Sequence, residues 1–271
     1  MIAALITLAT GLQELRVTVL ELKEHGTAVV VETPSGAVYV VDTGKKDDGR
    51  DTVLPFFRAR GVEEIAGLVV THPHRDHYEG AEYLLKHLRV KSFIDAGLDH
   101  KSIDGDYRKL RKRAADVRTV RAGDTLAWDD ALEVTVLAPP RDGVASNDKD
   151  FLNDNSIVLR VRHGKCAFLF PGDIEEAGAE ALLATKEDLK STVLVVPHHG
   201  FFTSRRFAEA VKPEIAVASC LAEYKDRKPA SPGELAKELF GAVGAKVYVT
   251  ARHGNVRLVS DGSTVKATSE R

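Results

Sequence analysis

The chain has 271 residues, of which 44% are hydrophobic and 29% are charged, a composition that excludes a disordered protein and allows a sizeable core. Its formal net charge of -2 excludes a strongly basic nucleic-acid-binding protein, although a local basic patch is compatible with that total. The two cysteines, Cys166 and Cys220, lie far apart in apolar, strand-like segments, and we interpret them as buried thiols.

Residues 1–13, MIAALITLATGLQ, form an apolar run with small residues at Ala9 and Gly11. Such a run is typical of the end of a secretory signal peptide, but the positively charged segment that normally precedes it is missing. We interpret the run either as the remnant of an export signal or as an ordinary N-terminal segment, whether disordered or folded. The first interpretation predicts an exported protein and the second a cytoplasmic one. No stretch of the sequence is long and apolar enough to span a bilayer.

The rest of the sequence alternates between predicted strands and helices. Alternating apolar residues predict a strand over residues 15–22, and two apolar runs around the tripeptide PSG predict a hairpin that ends at Asp42. A helix is predicted from Asp51 to Gly61, and a strand buried on both faces over residues 65–71. Further helices are predicted near residues 78–88, 106–115, 175–185, 204–211 and 231–241, with strands near 91–95, 192–197 and 214–220 and a second hairpin that turns at His163-Gly164.

This order of elements predicts the architecture. Many strands, interleaved helices and two hairpins favour layered sheets with helices on the outside. No segment is rich enough in proline, glycine or serine to act as a linker between domains. Residues 14–271 are therefore predicted to form a single domain.

The heptapeptide THPHRDH, residues 71–77, carries three of the ten histidines and one aspartate within six consecutive positions. Ionisable side chains packed this closely are costly to bury unless a cation compensates them. His72 and His74 are two positions apart, so on an extended backbone they point the same way and can hold one metal ion. Asp76 and His77, where the chain turns toward a predicted helix, can serve a second ion.

Two further polar clusters follow predicted strands. The motif FPGD ends at Asp173, and the motif VVPHHG contains His198 and His199. All of these side chains lie at the carboxyl ends of strands, where sheets of this kind form their clefts. The sequence therefore offers six or seven candidate ligands for two cations.

The motifs VVDTG, THPHRDH, FPGD and VVPHHG, in this order, resemble the metallo-β-lactamase superfamily. The stretches ELKEHGTAVVVETPSG, NDNSIVLRVRHGKCAFLFPGD, VPHHGFFTS and VKPEIAVAS are similar to the hydrolase domain of ComEC-type DNA-uptake competence proteins and their standalone relatives. The resemblance extends from about Glu14 to Asp261. It implies an α+β fold, a four-layered αβ/βα sandwich, with one or two metal ions at the edge between its sheets.

The resemblance also implies a role for each candidate residue. The first ion would be held by His72 and His74, and the second by Asp76, His77 and one of the two adjacent histidines, with Asp173 bridging the ions. Because consecutive residues of an extended segment point to opposite sides, we predict His199 as the ligand and His198 as a substrate-binding or proton-handling group. The family's supporting aspartate corresponds to Asp42, which would hold the ligand loop by hydrogen bonds.

Many superfamily members have a further histidine between HxHxDH and GD that completes the ligands of the first ion, and no histidine of this chain is well placed for that role. The ComEC-type relatives similarly lack it. Counting outward from the turn at His163-Gly164 places Asp154 and Asn155 opposite Asp173. An amide oxygen binds zinc more weakly than an imidazole does, so Asn155 near the first ion predicts a labile ion or an oxygen-preferring metal. The expected cofactors are one or two ions of Zn²⁺ or Mn²⁺.

Two other departures concern the cleft. The stretch LKEHGTA, residues 22–28, stands where relatives usually have a VGQGDA-like sequence, and Lys228-Pro229 stands where they tend to have a His-Pro pair.

A single histidine is more often a structural or surface residue than a metal ligand, and we apply this interpretation to the histidines outside the motifs, which are His25, His87, His100, His163 and His253.

The basic segment YRKLRKR, residues 107–113, bears on the substrate. Arg111 and Lys112, among five basic residues on one predicted helix, suit a phosphodiester backbone, but a solvated helix face is the alternative. Ser204 could bind a phosphate oxygen or cap a helix. No aromatic platform for stacking bases accompanies the segment.

Three functions follow from the sequence. We favour a metal-dependent hydrolase that cleaves phosphodiesters, such as single-stranded DNA or nucleotides. Asp76 or Asp173 would orient a metal-activated water, and the second ion or His198 would stabilise the developing charge. The alternatives are a hydrolase of esters, lactones or β-lactams on the same fold, and a non-catalytic metal-binding accessory protein. The fold alone does not choose among them, because function resides in the site.

Overall fold

The computed structural model describes residues 14–147, 149–202, 204–221 and 231–271. The N-terminal run of residues 1–13 and the Lys228-Pro229 pair, both interpreted above, lie outside the described residues. Within the described ranges, no helix has the length and apolar character needed to cross a membrane.

The structure alternates strands and helices as the sequence predicts. Its strands are β1 (Leu15–Val19), β2 (Ala28–Glu32), β3 (Val38–Thr43), β4 (Glu64–Ile65), β5 (Gly67–Val69), β6 (Arg89–Val90), β7 (Phe93–Asp95), β8 (Val117–Thr119), β9 (Leu132–Ala138), β10 (Val158–His163), β11 (Cys166–Phe170), β12 (Val193–Val195), β13 (Ile215–Ala218), β14 (Lys246–Val249), β15 (Val256–Ser260) and β16 (Val265–Ser269). Its helices are α1 (Lys46–Asp48), α2 (Leu54–Arg58), α3 (Arg75–Tyr78), α4 (Ala81–His87), α5 (Gly105–Arg113), α6 (Phe151–Asp154), α7 (Glu176–Ala184), α8 (Arg205–Val211), α9 (Pro232–Ala242) and α10 (Thr250–His253). A π-helical segment (Gly49–Val53) joins α1 to α2, and a 3-10 helix (Pro197–Gly200) follows β12.

The long strands form two mixed sheets. The first has the order β16-β15-β1-β2-β3-β5-β7-β8, and the second has the order β14-β13-β12-β11-β10-β9. In the first sheet the pairs from β3 to β8 are parallel, and in the second those from β11 to β14 are parallel. The carboxyl ends of β5, β11 and β12, which precede the motifs described above, thereby become available to form one cleft.

The core explains why two sheets stack. Side chains on the inner faces of both sheets, including Val17 and Phe168, pack into one common cluster. The outer faces carry separate clusters, one covered by α2, α4 and α5 and the other by α7, α8 and α9. On β11, Phe168 and Phe170 face the inner core and Leu169 faces the outer one, as the two-residue period of a strand requires. The predicted four-layered sandwich is confirmed.

Most predicted elements are present, and the deviations have physical causes. Both predicted hairpins form, as β2-β3 and β10-β11. The helix predicted from Asp51 begins earlier, at Lys46, and runs through Gly49. A Cβ atom at Gly49 would lie 2.3 Å from the Cα atom of Gly80, so this close packing outweighs the low helix propensity of glycine.

Candidate metal centre

The candidate site lies at the carboxyl ends of β5, β11 and β12. The histidine-rich stretch leaves β5 through a bend over residues 71–73 and becomes α3 at Arg75. Asp173 follows β11, and the two adjacent histidines lie in the 3-10 helix after β12. The sheet topology thus brings together segments such as those of His72 and His199, which are 127 positions apart in sequence.

Two groups of three side chains in the described part of the chain could hold a metal ion. The donor atoms of each group lie within 4.8 Å of one another. The first group is His72, His77 and Asp173, and the second is His25, Asp76 and His199. The structure thus groups His77 with His72, whereas the resemblance implies that it shares an ion with Asp76.

The carboxylate of Asp173 lies between the two groups. Its Oδ2 atom is 3.1 Å from Nε2 of His77, 3.4 Å from Nε2 of His199 and 3.9 Å from Nε2 of His72. The residue is 3% exposed, so solvent contributes little to neutralising its charge. A carboxylate so placed can contact ions in both groups at once, which is the geometry of a bridging ligand.

Asp42 holds the histidine-rich segment. Its Oδ1 atom accepts a hydrogen bond from the Thr71 backbone N–H (2.8 Å), and its Oδ2 atom accepts from the Thr71 hydroxyl (2.7 Å). The same Oδ2 atom is 2.8 Å from Nδ1 of His77, which donates to it. Asp42 therefore fixes the tautomer of His77, leaving Nε2 to face Asp173.

The hydrogen-bond network also fixes the tautomer of His72. Because the Thr71 hydroxyl gives its hydrogen to Asp42, it can only accept from Nδ1 of His72, at 3.1 Å. The Nε2 lone pair of His72 then points toward His74, whose Nδ1 atom is 3.0 Å away. Two imidazoles with facing nitrogens match the His-x-His pair predicted to hold one ion.

His199 gives the clearest test of whether a cation fits. Its Nδ1 atom donates to the Ser219 carbonyl oxygen at 3.0 Å, so in the neutral imidazole, the form that binds a metal ion, Nε2 carries the lone pair. That Nε2 atom is buried without a hydrogen-bond partner among the described residues, and it lies 3.6 Å from Oδ2 of Asp76 and 3.4 Å from Oδ2 of Asp173. A neutral Nε2 that faces two carboxylates is unfavourable, so this position requires a cation, either a proton on Nε2 or a divalent metal ion, and the donor set fits the latter.

The pKa values describe the same arrangement in the protein alone. Burial acts to lower the pKa of His77, but Asp173 and Asp42 raise it well above its ordinary value. Burial likewise opposes protonation of His199, but Asp173 raises the pKa of this imidazole to about 9. Burial acts to raise the pKa of Asp173, yet the charges of His77 and His199 hold it well below its ordinary value. Protons on two imidazoles therefore neutralise the carboxylates until a metal ion replaces them.

The three remaining candidate histidines are neutral. Burial lowers the pKa of His72 well below its ordinary value, lowers that of His74 and lowers that of His25 to about 3. A neutral imidazole is the form that binds a metal ion. These three side chains are therefore ready to act as ligands at neutral pH.

The two adjacent histidines do not lie on an extended segment, so the premise used to distinguish them is wrong. Their φ angles are 45° for His198 and 56° for His199, in the left-handed region that is unfavourable for residues with a Cβ atom. His199 points into the second ligand group, whereas His198 is partly exposed and places Nδ1 2.9 Å from Oε1 of Glu175. The Nε2 atom of His198 lies 3.9 Å from Oδ2 of Asp173, at the rim of the site.

The prediction that Asp154 and Asn155 lie opposite Asp173 is wrong. The β10-β11 ladder pairs His163 with Cys166, so the turn occupies the next two positions, and every pair shifts by two residues from the predicted register. Ser156 is the residue beside Asp173, whose backbone N–H donates to its hydroxyl at 3.2 Å. The amide of Asn155 bonds instead to backbone groups of Val144 and Phe151.

A different amide of the NDN stretch lies beside the histidines. Asn153 donates from Nδ2 to Oε1 of Glu175 at 3.0 Å, and Glu175 also bonds to His198. Within the described residues, Oδ1 of Asn153 is buried without a hydrogen-bond partner. The prediction that an amide stands near the first ion therefore remains a prediction, and the amide that lies beside the histidines is Asn153 and not Asn155.

The basic helix and Ser204 are placed outside the ligand groups. Arg111 donates from Nε to Oδ2 of Asp95 at 2.6 Å, so its guanidinium is held by a buried carboxylate. Ser204 accepts a hydrogen bond from the Phe207 N–H and caps α8. Lys112 is exposed. Acidic partners also lie beside three other basic residues of the helix, which are Arg108, Lys109 and Arg113.

Replacing Asp42 by asparagine should weaken metal binding. The amide cannot accept hydrogen bonds at both ends, so Thr71 and His77 lose their common anchor. We expect about 10- to 100-fold lower Zn²⁺ affinity, measured by competition with a chromogenic chelator. Asp129→Asn is the control, because Asp129 accepts from the Ser35 backbone N–H at 2.8 Å, outside both ligand groups. Equal affinities for both variants would contradict the role of Asp42.

Comparison with known proteins agrees with this geometry. A family model described as the metallo-beta-lactamase superfamily matches residues 23–220. That match covers most of the chain and includes both candidate ligand groups. The chain belongs to the metallo-beta-lactamase superfamily, as predicted.

Two known proteins are similar to this chain over most of its length. ComE operon protein 3 from Bacillus subtilis (strain 168) is 28% identical over 217 residues, which are 77% of this chain and 26% of that protein. Competence protein ComA from Neisseria gonorrhoeae is 31% identical over 200 residues, which are 72% of this chain and 26% of that protein. The chain thus spans about a quarter of the length of these relatives. The predicted similarity to ComEC-type proteins is confirmed.

Solved structures support the fold. CmlA, a diiron beta-hydroxylase from Streptomyces venezuelae, aligns with a TM-score of 0.54 at 14% identity, covering 85% of this chain and 52% of that one. A putative metal-dependent hydrolase from Parabacteroides distasonis ATCC 8503 aligns with a TM-score of 0.53 at 16% identity, covering 88% of this chain and 94% of that one. Family membership and the two ligand groups together support a metal-dependent hydrolase that uses divalent ions.

Proposed function

We propose that the chain cleaves phosphodiester bonds in single-stranded DNA or nucleotides, with Zn²⁺ or Mn²⁺ ions at the centre described above. The observation that carries this proposal is the position of Asp173, with Oδ2 3.1 Å from His77 and 3.4 Å from His199. Two ligand groups that share one carboxylate are typical of two-ion sites, which phosphatases and nucleases use for in-line displacement at phosphorus. The similarity to competence proteins supports the same substrate class.

Divalent ions held by the two groups would supply Lewis-acid chemistry and an activated water at neutral pH. Burial acts to raise the pKa of Asp76, but the neighbouring His199 and the charge of His77 lower it, so this carboxylate is ionised. Its partly exposed side chain can accept a hydrogen bond from the attacking water and align the water with the phosphorus atom.

His198 is suited to stabilise the negative charge that develops on the phosphate. Glu175 accepts from Nδ1 at 2.9 Å and orients the ring, so that Nε2 faces the rim of the site. When protonated, Nε2 can donate to a nonbridging phosphate oxygen as negative charge develops there. Because Glu175 also holds Asn153, it couples the orientation of His198 to the first ligand group.

The donor chemistry is compatible with both proposed metals. Imidazole nitrogens favour zinc, whereas carboxylate and amide oxygens favour manganese, and the site offers both types. The side chain of Asn153 lies beside His74, and an amide oxygen at that position would favour manganese. We therefore propose Zn²⁺ or Mn²⁺ rather than one of them alone.

A second candidate, hydrolysis of esters, lactones or β-lactams, is favoured by the state of the basic helix. Arg111 is bound to Asp95, and acidic residues also lie beside Arg108, Lys109 and Arg113. Side chains already paired with carboxylates are less able to bind a phosphate backbone. A site with little anion-binding surface would suit neutral substrates.

A substrate panel separates these functions. We expect protein loaded with Mn²⁺ or Zn²⁺ to cleave bis-p-nitrophenyl phosphate and fluorescent single-stranded DNA at least about 100-fold faster, in kcat/KM, than nitrocefin or a lactone, because two ions stabilise the charge on phosphorus oxygens. An identically prepared Asp173→Ala variant controls for contaminating nucleases. Turnover of nitrocefin or the lactone alone would replace the first proposal by the second. Inactivity on every substrate with metal bound would favour a non-catalytic accessory protein.

A further inference from the structure

His25 lies in the second ligand group, although the sequence analysis assigned it no role at the site. Its Nε2 atom is 3.6 Å from Oδ2 of Asp76, and Nε2 of His199 is also 3.6 Å from that oxygen. The two imidazole rings are 4.0 Å apart between centroids. One carboxylate oxygen is thus flanked by two imidazole nitrogens at equal distances.

The loop that carries His25 is built against the ligand helix α3. The buried carboxylate of Asp48 accepts from the backbone N–H groups of Lys23 (2.7 Å) and Glu24 (3.1 Å), which fixes the start of the loop. At the next turn, a Cβ atom on Gly26 would lie 2.4 Å from the Asp76 carbonyl oxygen, so only glycine permits this approach. The position of His25 beside Asp76 is therefore set by backbone contacts on either side of it.

Ser219 connects His25 to His199. Its hydroxyl donates to the Gly26 carbonyl oxygen at 2.8 Å, and its own carbonyl oxygen accepts from Nδ1 of His199 at 3.0 Å. The Thr27 backbone N–H also donates to the Asp76 carbonyl oxygen at 3.2 Å. The three donor side chains of the second group are thus held relative to one another before any ion binds.

We propose that His25 is a further ligand of the ion held by Asp76 and His199. His25 adds a second imidazole to the imidazole of His199 and the carboxylate of Asp76, which gives the group three ligands of its own beside the shared carboxylate of Asp173. Without it the group has one imidazole beside the carboxylates of Asp76 and Asp173, which is a weaker donor set for Zn²⁺ or Co²⁺. The inference deepens the metal-dependent function proposed above and rests on it.

The imidazole of His25 also affects which metal ion the second group would bind. Imidazole favours Zn²⁺ and Co²⁺ over Mn²⁺, so His25 should bias the second position toward the former ions while the first position keeps an amide oxygen nearby. Removing His25 should lower the affinity for Zn²⁺ and Co²⁺ more than the affinity for Mn²⁺.

The test titrates metal-free full-length protein with Co²⁺ and follows the visible absorption bands, the bound stoichiometry by mass spectrometry of the metal, and the affinity by chelator competition. We expect His25→Ala to bind one Co²⁺ at least about 100-fold more weakly than wild type does, with altered bands for that ion. In the NMR spectrum of the Co²⁺ form, one hyperfine-shifted imidazole N–H resonance should disappear. His87→Ala is the matched control, since His87 is an exposed histidine on α4.

The possible results distinguish a wrong role for His25 from a wrong assignment of the metal centre as a whole. Wild-type affinity, bands and resonance count in a folded His25→Ala protein would overturn the role of His25 alone. Loss of the second ion in His25→Ala with normal unfolding of the metal-free variant supports it, because a purely structural role would destabilise that variant as well. Failure of wild-type protein to bind Co²⁺ would overturn both the inference and the proposed function, and none of these measurements requires a substrate.

Discussion

Replacing Asp173 by alanine is expected to reduce kcat/KM on the preferred substrate by about 1000-fold or more, a loss of about 4 kcal/mol of transition-state stabilisation. Asp173 is 3% exposed and contacts His77 at 3.1 Å and His199 at 3.4 Å through one oxygen. Its removal takes the shared carboxylate from both ligand groups. The two ions would then be held less tightly and would lose their common contact.

The measurement is steady-state kinetics at saturating metal, together with the number of ions bound per chain. Asp173→Asn provides a closer variant, because the amide has the same shape but lacks the negative charge. Asp129→Asn again serves as the control, and we expect it to retain wild-type activity. An Asp173→Ala enzyme within tenfold of wild type would contradict the assignment of this carboxylate as the bridge.

Removing the metal should make stability strongly dependent on pH. Burial opposes protonation of His199, but Asp173 raises the pKa of His199 to about 9, from an ordinary value of 6.5. A group whose pKa is raised in the folded state stabilises the fold fully below about pH 6.5, and this contribution is lost as the pH rises through about 9. For a shift of this size the loss is about 3 kcal/mol. His77, whose pKa is also raised, acts in the same direction.

The metal-loaded protein should lack this alkaline loss, because its imidazoles are already deprotonated by the ion. Denaturant unfolding at about pH 6.5 and about pH 9.5 measures the free energy of unfolding of the chelator-treated protein and of the Zn²⁺-loaded protein. We expect the metal-free protein alone to lose about 3 kcal/mol between the two conditions. Equal losses in the two forms would contradict the assignment of protonated imidazoles to the cation's position.

The carboxylates have the opposite effect, because they make the stability of the metal-free protein fall as the pH is lowered. The charges of His77 and His199 outweigh the effect of burial and hold the pKa of Asp173 well below its ordinary value of 3.8. A lowered pKa stabilises the fold above about pH 4, and this contribution disappears as the pH falls through the folded-state value. Metal-free protein should therefore be most stable between these two limits, near weakly acidic to neutral pH.

The strand patterns and the motif spacing predicted most of the fold and of the site. Phe168 and Phe170 alternate with Leu169, and this two-residue period is a local property of a strand. The ligand positions after β5, β11 and β12 are likewise local, because each motif directly follows its own strand. The topology of the sandwich then brings those strand ends together.

Errors arose where the outcome depended on one residue of register or on a backbone angle. The turn between β10 and β11 lies one position later than predicted, which places Ser156 beside Asp173 where Asp154 and Asn155 were expected. His198 and His199 adopt left-handed φ angles that the sequence did not predict, since such angles are rare for residues other than glycine. The acidic partners of the basic helix, such as Asp95 beside Arg111, also come from a different element.

The amino-acid sequence by itself determined the family, the layered architecture and the candidate ligands carried by contiguous motifs, because hydrophobic period and motif spacing act over a few residues. Only the tertiary structure decided that His25 joins Asp76 and His199, because that contact depends on hydrogen bonds between distant segments. The bond from Ser219 to Gly26 spans 193 positions. No local pattern encodes such a distance, and it becomes defined only when the two sheets stack and bury the residues between them.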